Sequence, residues 1–225
     1  MNWTDNAIVL SVYSAGEAGN VTVVFSEYHG KWSGFSNIRK NRKVAIGDIC
    51  YTDWNSRLED SLGNFKFESV YSPYQYNFSI NSHLLVIQST CQLLNILLAD
   101  RDEHVALYNS TENLLKQISL KNYALWELSF LKYIGYGLDF TRCAVTGQKD
   151  ELYYISPKTG HCVVKEAGAQ YKNSLFVIPT FWNNCEIECT KSEIKESLKI
   201  TGHFISKINN QKLFYRDMLL TVLNA

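Results

Sequence analysis

The segment Gly135-Tyr136-Gly137-Leu138-Asp139-Phe140-Thr141-Arg142-Cys143-Ala144-Val145-Thr146-Gly147, followed by Tyr153-Tyr154-Ile155-Ser156-Pro157-Lys158-Thr159-Gly160, decides how this chain is read. It has the outline of a metal knuckle. A zinc knuckle uses four Cys or His ligands, commonly paired as C-x2-C so that a tight turn aims two thiolates at one ion. Cys143 is in place, but Thr146 stands where its partner belongs. The turn is kept while most of its ligands are gone.

Upstream, residues 1–71 read as strands. Ala7–Tyr13, Val21–Phe25, Lys31–Phe35, Ile49–Trp54 and Phe65–Tyr71 are short runs rich in β-branched and aromatic residues. Turn signals separate them: Gly16-Glu17-Ala18-Gly19-Asn20, His29-Gly30, Gly47-Asp48 and Gly63-Asn64. In the last run Phe65, Phe67 and Tyr71 fall on one face, with Lys66 and Glu68 on the other. Short strands in such number predict a small barrel, because closure removes exposed sheet edges.

Near Ser72-Pro73-Tyr74 the apolar period changes from 2 to 3.6, which marks a domain boundary. Leu84, Ile87, Cys91, Leu94 and Leu98 predict one helix, Leu114, Leu115 and Ile118 a second, and Leu125, Leu128 and Leu131 a third that stops at Gly135 and Gly137. Thr190-Lys191-Ser192-Glu193 is a capping box ahead of Ile194, Leu198, Thr201, Ile205 and Ile208. A short last helix is expected over Phe214 to Leu223.

The chain has 225 residues, 46% hydrophobic and 20% charged, enough to bury a real core. Lys plus Arg and Asp plus Glu both number 22, so no basic field surrounds the protein, and a nucleic-acid partner would have to meet a local patch. Residues 1–15 carry Asp5 and lack the basic start of a signal peptide. The run Leu84 to Ala99 is broken by Gln88, Ser89, Thr90, Gln92 and Asn95, so it is not expected to span a bilayer. Cys50, Cys91, Cys143, Cys162, Cys185 and Cys189 are scattered and read as reduced thiols of a cytoplasmic protein. There is no P-loop, no Gly-x-Ser-x-Gly, no His-Glu-x-x-His and no acidic cluster suited to two-metal nuclease chemistry.

A strand-built barrel, then helices, then a knuckle-like insert before a final helical segment resembles the RecO family of bacterial recombination and repair proteins. The residues that carry the resemblance are Ala7-Ile8-Val9-Leu10 with Gly16-Glu17, His29-Gly30, Arg57-Leu58-Glu59, and the block from Glu127-Leu128 through Gly137-Leu138-Asp139 and Cys143-Ala144-Val145-Thr146-Gly147 to Ser156-Pro157-Lys158-Thr159-Gly160. The resemblance implies an α+β protein: a five-stranded OB-fold over residues 1–73, then a helical domain over 74–225 with a degenerate zinc-knuckle-like insert at about 139–167. It implies no enzymatic activity. The implied work is binding of single- and double-stranded DNA, annealing of complementary strands, and loading of the recombinase onto DNA coated by single-strand binding protein. RecR and the C-terminal tail of that coating protein are the implied partners, and the nucleoid the implied location. A groove between the helices at 80–99 and 121–134 is the implied seat of the tail.

The departure concerns metal. Many relatives carry two C-x2-C pairs in the insert, but here Val164 and Ala167 fall at the second pair, with His161 and Cys162 out of phase. The expectation is an insert with no cofactor, held by packing of Tyr153, Ile155 and Val163.

For DNA contact, Arg39-Lys40-Asn41-Arg42-Lys43 places four cations in a loop between the third and fourth strands, with Lys31 and Trp32 upstream and Arg57 after the next strand. An OB-fold binds single strands by joining a basic groove to aromatic stacking platforms. Trp32, Phe35 and Trp54 are the candidate platforms, against a reading of all three as core. Arg142, with Lys158 and Lys165, extends the cationic set into the insert, where a plain charged surface is the alternative. His29 reads as a turn residue, since no partner at hydrogen-bond reach is suggested. Cys185-x3-Cys189 reads as a loop before Thr190 rather than half a metal site. Two further readings stay open: an adaptor whose barrel binds no nucleic acid, which the neutral charge favours, and a zinc protein built on the scattered Cys and His.

Overall fold

Alternating aromatic and β-branched residues place one strand face in the core and one in solvent, and the five expected strands form: β1 (Asn2–Ser14), β2 (Asn20–Ser26), β3 (Gly30–Ser36), β4 (Ile49–Asn55) and β5 (Asn64–Tyr71). The computed structural model describes residues 1–16, 19–36, 43–58, 61–77, 81–184 and 186–224. The strands close into a barrel in the order β1-β2-β3-β5-β4, with β1 and β4 paired, which is the OB-fold arrangement. All pairs are antiparallel except β3 with β5, which meet in parallel at Phe35 and Asn64. Ala7, Val9, Val24, Cys50, Trp54, Phe65 and Phe67 fill the interior.

β1 begins five residues before the expected Ala7, at Asn2. Its start is polar because Asp5 is buried as an acceptor. The N–H groups of Asn6 and Tyr28 donate to its carboxylate, each at 2.8 Å, and the Ser26 hydroxyl donates as well. A buried carboxylate with this many donors is satisfied, so the strand tolerates it.

After β5 come α1 (Tyr74–Asn77), α2 (Asn81–Leu97), α3 (Val105–Lys116) and α4 (Leu120–Tyr133). Two compact units divide the chain, Met1–Ser119 with Leu213–Val222, and Leu120–Lys212 with Leu223–Ala225. In the first, α2 packs on β1, whose Ile8 and Leu10 are buried along with the inward Ala7 and Val9.

In the second unit the insert is a four-stranded sheet, β6 (Asp139–Cys143), β7 (Leu152–Ile155), β8 (His161–Val164) and β9 (Phe176–Val177), in the order β6-β8-β7-β9. A short helix, α5 (Lys165–Gly168), and a 3-10 turn, Ala169–Ser174, link β8 to β9. Sequence periodicity does not foretell this sheet, because strands of two to five residues are too short to show a period. Packing by Ile155 and Val163 is as expected, but Tyr154, not Tyr153, enters the small core with Cys143 and Val164. Leu152 and Tyr154 share the strand face that packs on this core, which leaves Tyr153 exposed.

α6 (Thr180–Asn183), α7 (Lys191–Ile208) and α8 (Phe214–Asn224) follow. The capping box forms: Thr190 Oγ1 accepts from the Glu193 N–H at 3.2 Å, and Glu193 Oε2 accepts from the Thr190 N–H at 3.0 Å. α7 packs on α4 around Glu127, which is fully buried and accepts from the Tyr123 and Thr201 hydroxyls, each at 2.5 Å. Among the described residues no helix is long and apolar enough to cross a membrane.

Candidate nucleic-acid interface

Among the described residues, three open clefts line the barrel surface and share residues, so that they run together. The first is floored by Trp3 and Trp54, with Asp53 and Lys66 at its rim, and reaches Asn55. Asn55 also belongs to the second, with Phe35, Arg57, Ser61 and Leu62. Ser61 and Leu62 pass into the third, with Lys31, Trp32, Asp100 and Arg101. They hold about 480, 520 and 240 Å³ in that order, and each is open along the surface rather than enclosed. A continuous, shallow, aromatic-lined track suits an extended chain better than a compact substrate.

Backbone bonds keep the track in shape. The segment after β4 is tied to β3 where the Phe35 N–H donates to the Gly63 carbonyl at 2.8 Å. Gly63 lies against the Trp54 indole, where a Cβ would come within 2.3 Å of the ring, so the close approach requires glycine. On the other side the Arg101 N–H donates to the Lys31 carbonyl at 3.0 Å, and Lys31 bridges Asp100 as a short parallel pair. Gly30 has φ +72°, and a Cβ there would lie 2.2 Å from the Asp102 carbonyl oxygen. The connector between α2 and α3 is thus laid directly on β3.

The expected DNA-contact residues divide by environment. Trp32 is half-buried, packed at 4.5 Å from Trp54, with its Nε1–H donating to the His29 carbonyl at 2.6 Å. Phe35 is partly exposed at the second cleft, while Trp54 is 1% exposed and belongs to the core. Arg57 is exposed beside Phe35. Lys43 is exposed next to Val44, which packs on the barrel core. Arg39, Lys40 and Arg42 lie outside the described residues. Lys31 is not at the surface in the manner expected: its side chain is only 12% exposed, and Nζ donates to the Asn95 carbonyl at 3.0 Å and pairs with Asp100 at 3.2 Å. That ammonium holds the connector, and a phosphate would have to compete with both partners. Both acids of the track have lysine partners, Asp100 with Lys31 and Asp53 with Lys66 at 4.0 Å.

Sequence reasoning missed Arg101. Its guanidinium carbon stands 4.6 Å from the centre of the Trp32 ring, a cation–π contact. The residue is far downstream, and its backbone takes φ +61°, uncommon for a side-chain-bearing residue. The signal present in the sequence is the break Asp100-Arg101-Asp102 directly after the helix predicted to end at Leu98.

His29 does have a partner: its Nδ1 lies 3.2 Å from Asp5 Oδ2 and 3.4 Å from Ser26 Oγ. The three residue types match a hydrolase triad but the arrangement does not. A triad puts serine on one ring nitrogen and the carboxylate on the other, whereas here both meet Nδ1. The group locks the β2–β3 turn.

In the second unit Arg142 is exposed and lines a separate cleft with Asp139, Cys143, Gly147 and His161. Hydrogen bonds from the Thr141 hydroxyl and N–H, and from His161, hold the Asp139 carboxyl down to about 2. Lys158 is exposed, and Lys165 Nζ sits 5.2 Å from the centre of the Tyr153 ring. Cys143 is 1% exposed, and its Sγ accepts from the N–H groups of Val145, Thr146 and Val164, each at 3.4 Å. Burial pushes its thiol up, but bonds from the Thr146 side chain and from the Thr146, Val164 and Val145 backbone bring it down to about 7. Burial instead pushes Cys50, Cys91 and Cys162 up to about 12. Among the described residues no three His, Cys, Asp or Glu side chains stand together to hold a metal ion. The insert's donor set does not fit zinc: Cys143 offers one sulfur, while a hydroxyl and two alkyl side chains, Thr146, Val164 and Ala167, stand at the other ligand positions. Cys189 is half-buried, and Cys185 lies outside the described residues.

Residues 82–208 match the family described as Recombination protein O C terminal. Over its full length the chain is 30% identical to 99% of the DNA repair protein RecO of Ehrlichia chaffeensis. It is also 35% identical, over 91% of its length and 88% of theirs, to the DNA repair protein RecO of a Ruegeria species, and 32% identical, over 92% and 87%, to that of Granulibacter bethesdensis. The matches take in the barrel, the helices and the insert alike, and with the OB-fold strand order they settle the family: this chain belongs to the RecO family of DNA repair proteins.

Proposed function

We propose that this protein is a non-enzymatic recombination mediator of the cytoplasm and its nucleoid. It binds single- and double-stranded DNA, anneals complementary strands, and helps load the recombinase onto single strands coated by single-strand binding protein. RecR and the C-terminal tail of the coating protein are its partners in this reading. The observation that supports it most is the continuous track on an OB barrel, where Trp32 and Phe35 supply aromatic rings and Arg57 a cation. Annealing needs two strands held close while their repulsion is screened. Weak backbone contacts suit that task, because pairing must then displace the protein.

The test is fluorescence anisotropy with a labelled single-stranded oligonucleotide over a salt series, followed by addition of the complement. Binding should weaken as salt rises, and duplex should form faster than without protein. Replacing Arg39, Lys40, Arg42 and Lys43 by glutamine should lower affinity and flatten the log–log salt slope, by roughly 0.7 for each phosphate that is no longer neutralised. An unchanged slope removes the loop from the interface. The zero net charge favours a second reading, an OB-fold adaptor that binds only protein. Absence of DNA binding even at low salt, with retention of RecR, would establish it.

A further inference from the structure

We infer that Arg101 and Trp32 form a nucleobase clamp in which a single unpaired base stacks between the indole and the guanidinium. This rests on the DNA-binding reading above and assigns one subsite within it. Trp32 is held by its Nε1–H bond to the His29 carbonyl and by packing on Trp54, so the ring cannot turn away. Arg101 is held differently. Its backbone is fixed to β3 by the bond to the Lys31 carbonyl, while the residue itself is exposed and its long side chain reaches the indole. A planar cation over an indole occupies the position that a stacked base would take, since both use the ring's π-face. A base that displaces the guanidinium from the ring face then lies between two flat groups, because guanidinium planes stack on bases as aromatic rings do. Ser61 and Leu62 form the rim through which the chain continues toward Phe35 and Arg57.

The lysine next door sharpens the assignment. Lys31 pairs with Asp100 and the Asn95 carbonyl, which fixes the connector and sets Arg101 over the ring. The left-handed backbone at Arg101 is part of that placement, a local cost that the surrounding bonds impose.

The experiment compares the full chain's affinity for a labelled oligothymidylate and for an abasic oligonucleotide of equal length and charge, with circular dichroism as a folding control. The wild type should prefer the base-bearing strand by roughly tenfold, a typical effect for one stacked base. Arg101→Ala and Arg101→Lys should both lose most of that preference, since lysine keeps the charge but has no flat face, while Trp32→Phe, which keeps a ring, should retain part of it. Salt-sensitive binding with equal affinity for both strands overturns the clamp and leaves the DNA-binding reading intact. No binding to either strand at low salt overturns both. A preference that is undiminished in Arg101→Lys, or larger in Arg101→Ala, assigns Arg101 to charge or to covering the ring and overturns its part.

Discussion

The barrel surface and the knuckle-like insert treat their most reactive groups in opposite ways. On the barrel, Trp32 is anchored in the core yet keeps part of its ring at a cleft. In the insert, Cys143 keeps the N–H donors that a metal-binding turn provides, yet its sulfur is 1% exposed and Thr146 stands where a second thiol would face it across the turn. One region extends its core outward into a surface that can be read by a partner. The other holds a lone thiol as a hydrogen-bond acceptor and packs it away. The shape of a turn is therefore not enough to make a site, and the neighbours of its central residue decide what it can do.

The largest test of this contrast is Trp54→Ala. Removing an indole that is 1% exposed at the barrel centre should cost about 3–5 kcal/mol in denaturant unfolding. A loss under about 1 kcal/mol would mean that the barrel does not rest on its aromatic centre. Next is Cys143→Ala, which strips an acceptor from three N–H groups and should cost about 1–3 kcal/mol. Cys143 also carries a pH signature. Its thiol is lower in the folded state, about 7 against an ordinary 9.0, so the thiolate stabilises the fold fully above pH 9, and that contribution fades as pH falls through 7. Melting temperature measured between pH 7 and 9 should rise less in Cys143→Ala than in the wild type, and a chelator should leave the wild-type curve unmoved. A chelator-sensitive melt would restore the metal and erase the comparison. Thr190→Ala, which breaks the capping box, should cost about 1 kcal/mol. Lys66→Gln removes an exposed ion pair with Glu68, which solvent and salt screen, and should leave the denaturant midpoint unchanged within error at ordinary salt.

Strand positions in the barrel were legible because alternation is a local property. Four of the five strands begin within one residue of their expected starts. β1 is the exception, since the donors that make Asp5 tolerable come from Ser26 and Tyr28, on another strand and turn. The long helices α2, α4, α7 and α8 were legible too, down to the reciprocal bonds of Thr190 and Glu193, whereas α3 begins at Val105 and ends at Lys116, short of Ile118, and the four-residue α1, α5 and α6 are too short to show a period. In the insert, Tyr154 rather than Tyr153 faces the small core, and a strand of four residues carries too little alternation to say which face is inward. The candidate interface was readable only in part for the same reason. Trp32 and Arg57 adjoin the basic segment in sequence, whereas Arg101 reaches the indole through a connector that meets β3 only once the chain has folded. Lys31 looked like a phosphate ligand because its partners, Asn95 and Asp100, lie so far along the chain.

The seam between β3 and β5 carries one parallel residue pair, and the connector at Asp100–Asp102 covers the β3 edge nearby. During synthesis the five strands leave the ribosome before that connector does. The part of β3 that β5 does not pair accordingly stays uncovered until residues 100–102 have emerged, and the first seventy-three residues expressed alone should associate through it or exchange their β3 amides far faster than the whole chain. The barrel is thus encoded in one stretch of sequence and sealed by another.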